Sequence, residues 1–203
     1  MGEQLDSVMN YPFKEAIVAY ALTGDKDEFI STVTHILENY PKESLDVLMN
    51  LIDSHDTARA LTTLSGVKMP RKKADRAAFC LDDTQYALAK KRLKLASTLQ
   101  YVLPGVPCVF YGDEAGVQGY EDPLNRVTYP WGREDEELLS HYRALGAFRE
   151  KYADYLTGET HFVNDNDALI IERECEKGKM RLVCNNLTAC VFVNDERVLE
   201  INA

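Results

Sequence analysis

The sequence lacks the features that mark several large classes of protein. Its 23 Lys and Arg residues are outnumbered by 33 Asp and Glu residues, and no segment is densely basic, which argues against binding to nucleic acid. No apolar run approaches the ~20 residues of a membrane helix, so we expect no membrane partner. The first ten residues have neither the basic nor the apolar region of a signal peptide.

Cysteine is sparse and irregularly placed. The five cysteines are odd in number and contain no CxxC pair, a spacing that predicts neither a zinc site nor a redox pair. We therefore expect no metal and no cofactor. Free thiols fit a reducing compartment, and a cytoplasmic location is the simplest expectation.

The most informative stretch is an apolar run that ends in ionisable residues. Residues 48–52 read LMNLI, a pattern that predicts a strand of a parallel sheet buried on both faces. The dipeptide His55-Asp56 follows shortly after. A carboxylate after the carboxyl end of such a strand stands where parallel sheets and barrels keep their active sites.

Helical patterns alternate with the apolar runs. Residues 25–40, 83–102 and 134–152 carry apolar side chains at spacings of three and four, which predicts amphipathic helices. Shorter helices are predicted over residues 14–22 and 57–64, and a loop over residues 67–81. A second buried strand is predicted at residues 106–111, VPCVFY. This alternation indicates βα units of a parallel α/β structure.

The pattern changes near residue 158. Short alternating or apolar runs occupy residues 168–171, 180–184, 189–193 and 198–201, and clusters of Asn, Asp and Gly separate them. Such punctuation predicts hairpins of a small antiparallel sheet.

Four blocks of sequence, taken in order, resemble the alpha-amylase superfamily of glycoside hydrolases, and within it the branch of cyclomaltodextrinase, neopullulanase and maltogenic amylase. In order, the four blocks resemble the segment around barrel strand six, the strand-seven motif, the strand-eight motif and the loop that follows strand eight. The blocks are LDSVMNYPF at residues 5–13, LIDSHDTAR at 51–59, GVPCVFYGDEAG at 105–116 and DPLNRVTYPW at 122–131.

The resemblance implies an α/β fold of a particular kind. Residues 1–157 would form the C-terminal portion of a catalytic (β/α)8 TIM barrel, about strands six to eight with their helices. Residues 158–203 would form the small antiparallel β domain that follows this barrel in the family.

The resemblance also implies roles for four residues in cleavage of α-glucosidic bonds with retention. Asp56 matches the carboxylate that stabilises the transition state, and His55 matches the histidine that binds the sugar beside it. Asp122 and Arg126 match a pair that grips the substrate's non-reducing end. The alternatives are that Asp56 only caps a helix beginning near Thr57 and that Asp122 and Arg126 form only a loop salt bridge.

Neighbouring residues receive supporting roles. Arg59 is expected to orient loop carboxylates rather than touch sugar, and Asp113 and Glu114 are expected to belong to the framework. Three aromatic residues lie in the block at 122–131 or just before it, and they either pack in a core or stack on sugar rings: Tyr120, Tyr129 and Trp131.

Retaining hydrolysis needs a nucleophilic carboxylate and an acid/base carboxylate. The resemblance implies that both lie upstream of the block at residues 5–13. We therefore expect a fragment of an α-glucan hydrolase that is inactive alone. Its expected partners are an α-glucan or maltooligosaccharide, and either the missing N-terminal half of the barrel or a second copy.

Two other interpretations remain open. The chain could be a non-catalytic carbohydrate-binding or structural remnant that uses the same four residues. Alternatively, His55-Asp56 could belong to a metal-dependent phosphohydrolase of the HD type, which would place the pair on a helix and recruit further His and Asp ligands.

Overall fold

The computed structural model describes residues 7–201, so the first two residues of the block at 5–13 lie outside it. The helices are α1 (Tyr11–Thr23), α2 (Lys26–Asn39), α3 (Lys42–Leu45), α4 (Ala60–Leu64), α5 (Lys73–Ala77), α6 (Asp83–Val102), α7 (Glu136–Lys151) and α8 (Ala153–Leu156). The strands are β1 (Met49–Asn50), β2 (Val106–Pro107), β3 (Glu159–Val163), β4 (Leu169–Cys175), β5 (Gly178–Asn185), β6 (Thr188–Val193) and β7 (Glu196–Ile201).

Three extended segments lie side by side in parallel. Met9 forms a parallel bridge with Met49, and Met49 pairs in parallel with Val106. The predicted strands are therefore present, but the regular pairing of β1 and β2 is only two residues long. Beyond it, the Gln100 side chain bonds the carbonyls of both segments, at Asn50 and Cys108 (2.9 Å each).

Burial of the first strand differs from the prediction. Leu48, Leu51 and Ile52 are buried as expected, but Met49 is exposed. Val106, its partner in the ladder, is exposed as well. One face of the parallel ladder thus packs on helices, while the opposite face leaves apolar side chains in solvent.

Helix boundaries follow the local capping chemistry. The predicted helix over residues 83–102 is found with those limits, because Asp82 and Gln85 form a capping box at its start. Helix α1 begins three residues before the predicted range of 14–22, since the Asn10 side chain accepts a hydrogen bond from the Phe13 amide (3.2 Å) and caps the helix.

The structure differs from the predictions for one further helix and for one loop. The helix predicted over residues 57–64 begins only at Ala60, because the residues before it form the turn that carries His55. The predicted loop over residues 67–81 contains the short helix α5, which buries no residue and therefore leaves no apolar periodicity to detect.

The predicted antiparallel sheet is confirmed, with strand order β3-β4-β5-β6-β7. At the turn between β6 and β7, Asn194 and Asp195 both have positive φ angles, as a two-residue hairpin of type I′ requires. The sequence pattern missed β3, whose residues are at most partly buried. The division of the chain at 157/158 stays a prediction.

Two arginines join the sheet and α7 to the end of α6. Arg173 of β4 is fully buried and donates to the carbonyls of Val102 (2.7 Å) and Gly158 (3.0 Å). Arg149 of α7 donates to the carbonyls of Tyr101 (2.9 Å) and Gly105 (2.6 Å). Both cations compensate the carbonyls left without partners at the C-terminus of a helix.

No helix within residues 7–201 is long and apolar enough to span a membrane.

A buried histidine between α6 and α7 makes stability depend on pH. His141 Nε2 lies 2.8 Å from Ser97 Oγ, and since the Ser97 hydroxyl donates to the Leu93 carbonyl, the ring nitrogen is the donor. Burial, helped by the positive charge of Lys94, lowers the pKa of His141 to about 4. As the pH falls, His141 of the unfolded chain therefore takes up a proton near pH 6.5. In the folded protein it takes up this proton only near pH 4.

We predict that His141→Gln, which keeps a donor toward Ser97 but does not titrate, loses less stability in acid than the wild type. Between pH 7 and pH 4.5 the difference should be on the order of 2 kcal/mol. Urea denaturation at both pH values measures it. Equal acid losses in the two proteins would contradict the assignment.

Candidate active site

The His55-Asp56 dipeptide lies in an exposed turn after β1. His55 Nε2 is 3.3 Å from Asp56 Oδ1, and both side chains are more than half exposed, at 53% and 64%. The Ser54 hydroxyl accepts from the Asp56 amide (3.2 Å) and the Thr57 hydroxyl accepts from the Ser54 amide (2.9 Å). These local bonds fix the turn and leave both functional side chains facing solvent.

The alternative role of Asp56 as a helix cap is wrong. Helix α4 begins at Ala60, and it is Asp53 Oδ2 that accepts the Ala60 amide (2.8 Å). The Asp56 carboxylate therefore does not cap this helix. No role was predicted for Asp53 from the sequence, although its position at the end of an apolar run could have suggested a buried cap.

Asn125 holds the turn from behind. Its side chain has no exposed surface, and Nδ2 donates to the carbonyls of His55 (2.8 Å) and Thr57 (2.7 Å). One amide therefore fixes the backbone on both sides of Asp56. The sequence analysis missed this residue, because an Asn inside a polar loop carries no signal of burial.

Asp122 and Arg126 flank Asn125 and form an ion pair. Arg126 Nη2 also lies 3.4 Å from the carbonyl of His55. The structure therefore brings together all four predicted site residues, His55 and Asp56 from one loop and Asp122 and Arg126 from another. Both side chains of the ion pair are about half exposed, so the pair is available to a ligand.

Arg59 joins the two loops from within the protein. Its side chain has no exposed surface, and it donates to the carbonyls of Asn125 (2.8 Å) and Tyr111 (2.5 Å). The guanidinium carbon lies 4.0 Å from the centroid of the Phe110 ring, a cation–π distance. Arg59 is thus a framework residue that does not contact solvent.

Two buried carboxylates lie beside Arg59. Asp113 Oδ1 is 3.8 Å from Arg59 Nη1, and one oxygen of Asp53 and one of Asp113 have no hydrogen-bond donor. Burial and the negative charge of Asp53 raise the pKa of Asp113 well above its usual range. We expect the two acids to share a single proton, since two adjacent carboxylates resist full ionisation.

The aromatic residues divide into two kinds. Tyr120 is buried, and its ring centroid lies 5.4 Å from that of Phe79, so it packs in the interior and presents no face to a sugar. Trp131 is 80% exposed, with the Tyr129 ring centroid 4.5 Å away.

The geometry does not fit an HD-type metal site. His55 and Asp56 lie in a turn rather than on a helix. The other histidines lie on different elements, with His35 in α2, His141 in α7 and His161 in β3. Within residues 7–201 no group of three His, Cys, Asp or Glu side chains is gathered where a metal ion could bind.

Comparison with known proteins gives consistent matches. The family model of the alpha-amylase catalytic domain matches residues 1–177. The amylopullulanase of Thermoanaerobacter thermohydrosulfuricus is 36% identical over 195 residues, which are 88% of this chain and 12% of that protein. A cyclomaltodextrinase from Bacillus sp is 31% identical over 192 residues, covering 91% of this chain and 30% of its own.

A solved structure extends the match. The type III pullulan hydrolase from Thermococcus kodakarensis superposes with a TM-score of 0.77 and 29% identity, over 91% of this chain and 31% of that one. In each of these three comparisons the chain spans less than a third of the matched protein's length.

The shared proton between Asp53 and Asp113 can be tested by substitution. The raised pKa of Asp113 means that the unfolded chain releases a proton as pH rises above about 4, while the folded protein keeps it. Stability contributed by this group is therefore present at low pH and lost as pH rises toward the folded pKa. Asp113→Asn supplies a permanent donor and removes this loss.

We predict that the stability of Asp113→Asn relative to the wild type increases between pH 4 and pH 8, as measured by urea denaturation. Asp113→Leu provides no donor to Asp53 and should be less stable than Asp113→Asn by at least about 1 kcal/mol. Equal stability of the Asn and Leu variants would show that no proton joins the two acids.

Proposed function

The chain belongs to the alpha-amylase family, and we propose that it supplies the part of an α-glucan-cleaving site formed by barrel strands six to eight. The amylopullulanase and cyclomaltodextrinase matched above carry names that denote action on such glucans. The parallel order of the segments at Met9, Met49 and Val106 is the order that three successive barrel strands would have.

The observation that carries the proposal is the meeting of two exposed pairs after the ends of parallel strands. Arg126, which is ion-paired with Asp122, donates to the carbonyl of His55 beside Asp56. In this proposal Asp56 accepts hydrogen bonds from sugar hydroxyls that strengthen as the ring approaches the transition state. Only such differential contacts lower a barrier.

His55, Asp122 and Arg126 bind and orient the sugar. The polar atoms of these three side chains already have partners within the protein. Each side chain is nevertheless about half exposed, so sugar hydroxyls can form further hydrogen bonds with it. Asn125 and Arg59 act behind them as positioning residues, because both are buried and bond the loop backbone.

The polypeptide of 203 residues is proposed to bind glucan without cleaving it. Retention requires a nucleophile and an acid/base in addition to the stabilising carboxylate. Asp53 and Asp113 are buried beneath the turn, and Glu114 accepts the amide of Gly112 (2.9 Å). These nearby carboxylates serve the framework, and the resemblance puts the two reacting carboxylates upstream of residues 5–13.

The exposed apolar face of the parallel ladder supports a proposal for the partner that completes the site. Met49 and Val106 leave this face uncovered, and parallel sheets are normally buried on both faces. We assign the covering partner to the remainder of the barrel, with a second copy of the chain as substitute when that is not supplied. The proposed location of the assembled enzyme is the cytoplasm.

We predict that the isolated chain binds maltoheptaose in calorimetry and releases no reducing sugar from it. His55→Ala and Asp56→Ala should each weaken binding about tenfold or more, since each removes a hydrogen bond involving a polar or charged group. The matched control is Asp154→Ala, which removes an equally exposed, ion-paired aspartate far along the chain in α8. Equal binding by the wild type, His55→Ala and Asp56→Ala would contradict the proposed site.

We also predict that the isolated chain associates at micromolar concentration in sedimentation analysis. Met49→Glu places a charge on the uncovered face and should shift the chain toward monomer. Leu88→Glu is the control, because Leu88 of α6 is as exposed as Met49 (37% and 38%) but lies on another surface. A wild-type chain that is monomeric at all concentrations would contradict the partner assignment.

A further inference from the structure

Trp131 is the single tryptophan of the sequence, and it is 80% exposed. The other exposed large apolar side chains of the described residues are all less than half exposed. A ring of this size that stays in water lacks the favourable free energy of burial, about 25 cal/mol for each Å² of apolar surface. An exposed ring indicates a binding surface when it forms a contiguous apolar patch with a neighbouring ring.

The ring of Trp131 is held in place. Its centroid lies 4.5 Å from the Tyr129 centroid, with the planes tilted by 48°. The backbone beneath is a tight turn, with the Trp131 amide bonded to the Tyr129 carbonyl (3.0 Å) and the Arg133 amide to the Pro130 carbonyl (2.8 Å). The two rings therefore form one preorganised surface, which binds a ligand with less loss of conformational entropy.

Both ends of this turn are anchored to the framework of the site. Tyr111 Oη donates to the Val127 carbonyl (2.7 Å), and the Asp135 amide donates to the Ala115 carbonyl (3.1 Å). The aromatic surface is thus fixed relative to the loop that carries Asp122 and Arg126.

The surroundings of the turn are polar and open. A cleft of about 570 Å³ runs beside it, with Val127, Thr128, Pro130 and Arg133 in its lining. Trp131 lies five positions after Arg126 in the chain, so their Cα atoms are at most about 18 Å apart. A site that runs along the loop from Arg126 to Trp131 suits an extended chain of sugars.

We propose that Tyr129 and Trp131 form a stacking platform for an α-glucan chain, which extends the sugar site past Asp122 and Arg126. The inference rests on the proposed function and deepens it, because it makes the site selective for long oligosaccharides. A glucosyl ring presents an apolar face of C–H groups that packs on an aromatic ring, while its hydroxyls remain free to bond polar groups at the rim such as Arg133.

The lone tryptophan makes the test direct, because every change in indole fluorescence reports on Trp131. Maltoheptaose added to the wild-type chain should quench or shift the emission along the same curve that calorimetry gives for binding. Maltose, which is too short to span both parts of the site, should leave the emission unchanged.

Trp131→Ala should weaken binding of maltoheptaose roughly three- to tenfold, the worth of one aromatic contact, and should not change binding of maltose. Trp131→Phe keeps a ring and should retain most of the affinity. Tyr40→Ala is the matched control, because Tyr40 is an exposed aromatic at the end of α2, and it should bind as the wild type does. Equal melting temperatures of the variants confirm that each one folds.

The outcomes separate the two proposals. Calorimetric binding that is unaffected by Trp131→Ala and does not change the emission overturns the platform and leaves the glucan site intact. Absence of any calorimetric binding overturns the glucan site and the platform with it. An emission shift that follows protein concentration without sugar would assign Trp131 to a protein contact and overturns the platform.

Discussion

The guanidinium of Arg59 carries a full charge in the interior, and the loops of the site are arranged around it. Burying an unpaired charge is costly, so carbonyls of Asn125 and Tyr111 accept from it, the Phe110 ring stacks on it and Asp113 lies nearby. These partners come from two separate stretches of chain, residues 110–113 and Asn125. Their positions are therefore set jointly, and the loop with His55 cannot shift without breaking contacts in the loop with Arg126.

Asn125 and the acid pair of Asp53 and Asp113 complete this support. The amide of Asn125 fixes the turn from one side, and Asp53 fixes the start of α4 on the other. The exposed residues of the site hence stand on a buried polar layer whose hydrogen bonds are formed before any ligand arrives. Such preorganisation reduces the conformational entropy that the loops lose when a ligand binds. It also explains why so many polar groups, rather than apolar ones, lie beneath this surface.

The sequence predicted the parts of the fold that follow from periodicity or from short motifs. The limits of α6 were correct because a capping box and a long apolar repeat act together, and the turns between strands were visible because Asn194 and Asp195 suit positive φ angles. The grouping of His55 with Arg126 came from the family resemblance. Asn125 and Asp53 were missed because their roles depend on burial by distant segments, and α5 and β3 were missed because neither presents a strong apolar stripe.

The buried position of Arg173 has a consequence for cooperativity. This residue belongs to the antiparallel sheet, yet the carbonyls that it bonds belong to the end of α6 and to the segment after α8. Separation of the sheet from the helices would leave a cation without acceptors on one side and helix-end carbonyls without donors on the other. The sheet and the longest helix should therefore exchange their amide hydrogens with solvent as one unit, although the sequence places them in different parts of the chain.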